Sequence, residues 1–154
     1  MVEGAVENNE TEETTRVVVL RAGQSLVAVD ALDVVEIVLR GPVTRVPYSP
    51  PHFLGLCVVA GRLLPVFCLR EILQSKPGPP ATTLPRLVVL KGEEDDIAFS
   101  CEEAQGVVAI QLVEKVSQGP FARGYGQVDE NEVPLLDTVA LVRAAMAHTN
   151  EGER

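Results

Sequence analysis

Apolar residues in this chain fall in short runs closed by glycine, proline or charge. Val17-Val18-Val19-Leu20, Leu26-Val27-Ala28-Val29 and Val34-Val35-Glu36-Ile37-Val38-Leu39 make the first group. Leu87-Val88-Val89-Leu90 and Ile97-Ala98-Phe99-Ser100-Cys101 make a second. Runs this brief, rich in β-branched residues, predict buried strands rather than helices. Ala22-Gly23-Gln24, Asp30 to Asp33 and the acidic stretch Glu93 to Asp96 are the turns between them. Gly41-Pro42 ends the third run, Val43-Thr44-Arg45-Val46 predicts a further strand, and Pro47, Pro50 and Pro51 force an extended or turning connection.

Phe53 to Leu73 is the stretch around which the rest is placed. Two apolar runs flank Gly61, which accepts the positive φ of a tight hairpin turn, and Leu69 to Leu73 suits a short helix. Pro65 lacks a ladder donor, so its strand is expected at a sheet edge or at a bulge. Residues 74–85 form a proline-rich linker. Gly119 to Gly126 reads as a turn. Thr138 to His148 places Val139, Val142 and Met146 at helical spacing behind Asp137, a good N-cap. The first fourteen residues carry Glu3, Glu7, Glu10, Glu12 and Glu13 with no basic residue. That composition predicts a disordered acidic tail over 1–14, a folded domain over 15–148 with order from Arg16, and a second tail over 149–154.

The two halves echo each other. Val18-Val19-Leu20-Arg21-Ala22-Gly23 matches Val88-Val89-Leu90-Lys91-Gly92, and Leu64-Pro65-Val66-Phe67-Cys68 matches Val133-Pro134-Leu135-Leu136-Asp137. The order strand, turn, strand, long connection, proline strand, helix is kept in both, which predicts two similar small barrels sharing a core.

Composition narrows the function. Hydrophobic residues make up 46% of the 154 positions and aromatics 4%, so packing falls to Val, Leu and Ala and aromatic binding platforms are not expected. A formal net charge of −9 disfavours nucleic acid and anionic membrane surfaces. There is no basic leader followed by an apolar core and no run of bilayer length, so a cytoplasmic location without membrane insertion is expected. Cys57, Cys68 and Cys101 read as small buried hydrophobes in a reducing compartment, and Glu102 and Glu103 oppose thiolate formation at Cys101. No phosphate-cradling loop or nucleophile elbow is present, and neither His52 nor His148 has an evident catalytic partner. The carboxylates at Glu93 to Asp96 and Asp129 to Glu132 sit at predicted hairpin tips, where solvated charge is ordinary. With no reaction centre, no cofactor and no metal ligand set, a binding or scaffolding role outweighs an enzyme. The alternative is a small-molecule-binding or enzymatic β-barrel using the acidic tips, with calcium as one ligand.

The assembled residues resemble the CheW family, the adaptor that couples chemoreceptors to the histidine kinase CheA in bacterial chemosensory arrays. The resemblance rests on Val34-Val35-Glu36-Ile37 with Val43-Thr44-Arg45-Val46-Pro47, on Gly55, Gly61 and Leu64-Pro65-Val66 with Leu69, on Ile97 to Ala104, and on Val133-Pro134-Leu135-Leu136-Asp137. It implies an all-β fold with short helices: two intertwined five-stranded SH3-like barrels, a shared hydrophobic core and a C-terminal helix. It further implies no catalysis, recruitment to receptor clusters, and two partners: the chemoreceptor cytoplasmic tip and a CheA-type histidine kinase. By resemblance the receptor face comprises Val35, Glu36, Gly55, Val58, Val59, Ala60 and Gly61, while exposed apolar strand surface docks the kinase. The chain departs from the family pattern where Asn-Leu-Arg-Gly becomes Val58-Val59-Ala60-Gly61, so that Ala60 replaces the receptor-contacting arginine. Cys68 and Glu102 are further departures. The expected protein is a divergent adaptor, or an accessory one that keeps only one of the two partners.

Overall fold

The computed structural model describes residues 14–74, 85–113 and 121–152, with 148–152 as backbone only. The predicted tail up to residue 13, the linker between Gln74 and Pro85, and the start of the glycine-rich run lie outside the described residues.

In chain order the strands are β1 (Thr14–Ala22), β2 (Ser25–Asp30), β3 (Val34–Leu39), β4 (Phe53–Val59), β5 (Arg62–Cys68), β6 (Arg86–Leu90), β7 (Ile97–Cys101), β8 (Glu103–Gln111), β9 (Ala122–Val128) and β10 (Asn131–Leu136). Helix α1 (Leu69–Leu73) follows β5, and α2 (Thr138–Gly152) follows β10. A single 3-10 turn, Ala31–Asp33, links β2 to β3 and is capped by Asp30, whose Oδ1 accepts from Leu32 N at 2.9 Å. The strands form two five-stranded sheets, β8-β1-β2-β10-β9 and β3-β6-β7-β5-β4.

These orders express the internal repeat. Arg16-Val17-Val18-Val19-Leu20 of β1 corresponds to Arg86-Leu87-Val88-Val89-Leu90 of β6, and each strand pairs with the next in an antiparallel hairpin. Each hairpin then joins the last three strands of the other half, so the halves are exchanged between sheets. In both sheets the proline strand runs parallel to the hairpin's second strand, Val66 beside Ala98 and Leu135 beside Ala28.

Exchange explains why the apolar runs show no alternation. Val17 and Val19 point into the first barrel with Ile110, Val133 and Leu135, while Val18 and Leu20 point into a core shared with Phe67, Val88, Leu90, Phe99 and, from α2, Leu141 and Ala145. In the second barrel Leu64, Val66, Leu87, Val89 and Ala98 fill the interior. A strand buried on both faces has no polar side to display.

Several expectations need correction. Pro65 sits in β5, an inner strand between β7 and β4 and not a sheet edge, and the irregularity in the β4–β5 register falls just beyond it, between Val66 and Phe67. Its partner Leu56 exchanges both backbone hydrogen bonds with Thr44 (2.7 and 2.8 Å) and so faces away from Pro65, while pairing with β7 starts only at Val66. The missing N–H therefore costs no ladder bond. Pro134 is accommodated the same way, because Tyr125 bonds Val113 instead (2.7 and 2.9 Å). Val43 to Val46, predicted as a strand, contributes one bridge, Thr44 to Leu56. The glycine-rich run is strand rather than turn from Ala122 onward: a Cβ on Gly126 would collide with Ile110, and one on Gly124 would lie 2.8 Å from Leu112 Cδ1. β8, not predicted, pairs with β1 as far as Thr14, which extends order into the stretch expected to be tail. Helix α2 likewise runs past His148 to Gly152.

Candidate protein-interaction surface

The hairpin β4–β5 turns through Ala60 (φ 50) and Gly61 (φ 79). Positive φ at both central positions is the type I′ geometry that matches strand twist. Period-two alternation then sorts the valines: Val59 (4% exposed) packs in the second barrel, while Val58 (64%) and its cross-strand partner Leu63 (63%) stand together on the outer face. Ala60 and Gly61 are exposed at the tip. Gly55 is buried where the barrel closes. Its φ is +137, and a Cβ there would strike the carbonyl of Thr44, with Val43 Cγ1 at 3.0 Å. Gly55 and Val59 therefore shape the hairpin from inside, and the sequence reading missed Leu63, which completes its outer surface.

On β3 the alternate residues Val35, Ile37 and Leu39 are exposed, with Glu36 half-buried between them. Ile37 (38% exposed) pairs with Val88, and its counterpart in the repeat, Val107 (57% exposed) of β8, pairs with Val18. Val18 and Val88 belong to the shared core. Each barrel thus carries that core outward onto an apolar outer strand, a surface type associated with protein contacts.

The thiols, His52 and the acidic tip sit in structural settings. Burial and the neighbouring Glu102 carboxylate push the Cys101 thiol up to about 12, and burial also raises Cys68. Both thiols are thereby held neutral and poorly nucleophilic. His52 stacks on Phe67 at a centroid distance of 5.9 Å, with Nε2 3.4 Å from the Ala145 carbonyl, and so ties the start of β4 to α2. At the acidic tip, Glu93 holds Arg143 and Asp96 holds Arg62, each at 2.8 Å. Among the described residues no group of three or more His, Cys, Asp or Glu is placed to hold a metal, and no helix is long and apolar enough to cross a membrane.

Two exchanged five-stranded barrels, each closed near a glycine and followed by a helix, form a distinctive arrangement, and the family model for the CheW-like domain matches residues 16–146. The chain belongs to the CheW-like domain family. No curated protein matches its sequence. Among solved structures, the scaffolding protein TtCheW from Thermoanaerobacter tengcongensis is similar at a TM-score of 0.71 and 18% identity, over 84% of this chain and 92% of that one. Identity that low carries the fold alone. Within the CheW-like frame Glu102 acquires a role: Oε2 accepts from Arg70 Nη1 at 3.1 Å and Oε1 from Gly23 N at 2.9 Å. This carboxylate links the β1–β2 turn of the first barrel to α1 behind the second.

Proposed function

We propose that this CheW-like domain is a non-enzymatic adaptor of a bacterial chemosensory system. It couples the cytoplasmic tip of a chemoreceptor to a CheA-type histidine kinase, or works beside a standard adaptor and keeps one of these partners. The observation that carries the reading is the pair of apolar outer strands, β3 with Val35, Ile37 and Leu39 and β8 with Val107, repeated on the two barrels. Two faces of one rigid body suit a protein that holds others in register. On the receptor side the proposed contacts are Val35, Glu36, Val58, Ala60 and Gly61, joined by Leu63. Gly55 and Val59 support them from the interior. Recruitment to receptor clusters follows from such contacts.

The test is retention of purified partners. Beads carrying this protein are expected to hold the receptor tip or the kinase regulatory domain at tens of micromolar, a range common for signalling contacts of modest area. Retention of neither partner contradicts the reading.

A further inference from the structure

We propose that the cleft under the β3–β4 crossover takes an acidic, extended segment of a partner protein, with a carboxylate on Arg45 and an apolar side chain against Tyr48. The cleft encloses about 550 Å³ and is lined by Arg40, Val43, Arg45, Val46, Tyr48 and Phe53 among others.

Charge is the first argument. The chain carries −9 overall, yet residues 37–70 contain no Asp or Glu, and of the arginines there Arg62 and Arg70 are already paired with Asp96 and Glu102 outside the cleft. Arg45 makes no ion pair among the described residues. The acidic turn Glu93 to Asp96 follows the Leu90 end of β6, whereas Arg40 adjoins the opposite end, where Leu39 pairs with Arg86. The cleft therefore presents the Arg45 guanidinium on an otherwise anionic molecule, with no carboxylate in its lining to compete for it.

Pre-organisation is the second. Thr44 is fixed to Leu56 by two backbone hydrogen bonds, Ser49 Oγ donates to Val46 O at 2.6 Å, and Phe53 N donates to Pro50 O at 3.0 Å. Pro47, Pro50 and Pro51 remove further freedom, so little ordering is left to oppose binding. Tyr48 is held at φ 63, a conformation unfavourable for a bulky L-residue, with 97% of its surface exposed. An aromatic ring that gains no burial from the fold while its backbone is strained points to a contact outside the chain.

The experiment pans a displayed library of random peptides against the full chain and titrates a labelled enriched peptide. Enriched sequences are expected to be net acidic with at least one apolar residue, and their binding to weaken as salt rises. Arg45→Glu should weaken binding about tenfold or more, as loss of a charge-assisted contact does. Tyr48→Gly should weaken binding while raising the melting temperature, since glycine relieves the left-handed backbone, whereas a folding defect would weaken binding and lower the melting temperature. Neutral or basic enriched sequences, no enrichment, or unchanged affinity in both variants would overturn the proposal. Tighter binding of an oligothymidine probe than of any peptide would also overturn it. None of these outcomes depends on whether a receptor or kinase is retained.

Discussion

At the scale of the residue, conformation decides what a departure from the family pattern means. Ala60 occupies a left-handed position (φ 50) that asparagine tolerates better, and Asn-Gly is the preferred pair for this turn. Ala60→Asn should raise stability by about 0.5–1 kcal/mol in urea denaturation. Ala60→Arg keeps the same backbone cost as alanine, so it should leave the midpoint unchanged while tightening receptor-tip binding roughly ten- to hundredfold. Cys68 shows the opposite lesson. It occupies the N-cap of α1 without a side-chain hydrogen bond, whereas Asp137 Oδ1 caps α2 by accepting from Ala140 N at 3.1 Å. The symmetry invites Cys68→Asp, yet Cys68 is fully buried. A cap gains about 1 kcal/mol, and a desolvated carboxyl costs at least about 2 kcal/mol, so the variant should be less stable at neutral pH. Burial raises that carboxyl's folded pKa above its unfolded value. Stability is then lost as pH rises and recovered below about pH 4, and denaturation midpoints across that range check the sign.

At the scale of the element, what the sequence revealed and what it hid have the same origin. Hairpins, the proline strands, both helices and the Asp137 cap were legible because turns, breaks and caps are local chemistry. The face of a strand was not. Cys57-Val58-Val59 is apolar throughout, inner and outer face alike, so neither the burial of Val59 nor the exposure of Leu63 left a polar contrast to read. Strand β8 was hidden because only Glu102 separates it from β7, and no glycine or proline marks the corner. Strand β9 was hidden because Gly124 and Gly126 serve close packing against Leu112 and Ile110, not a turn. Gly55 works similarly at the other closure. Gly55→Ala should cost about 2 kcal/mol or more, combining backbone strain with collision against Thr44, and a midpoint within error of wild type would reject that role.

At the scale of the whole molecule, exchange of hairpins makes the two barrels one unit, and Glu102 is a largely buried polar contact that spans them. Arg70 and Glu102 expose 6% and 13% of their side chains. Glu102→Ala should cost about 3–5 kcal/mol, because it strands a buried guanidinium, and Glu102→Gln, which keeps an acceptor for Gly23 N, should cost less. A rigid two-barrel body with an apolar outer strand on each side is the central claim, and adaptor function is its proposed consequence. Calorimetric titration of wild type and Ile37→Asp against the receptor tip and the kinase regulatory domain tests it most directly, since the side chain lies partly in solvent and the shared core lies behind it. At least one partner is expected to bind wild type in the micromolar range, and the charge on β3 to weaken a complex by tenfold or more with the fold intact. Binding of neither partner, or equal binding by the folded variant to both, would contradict it.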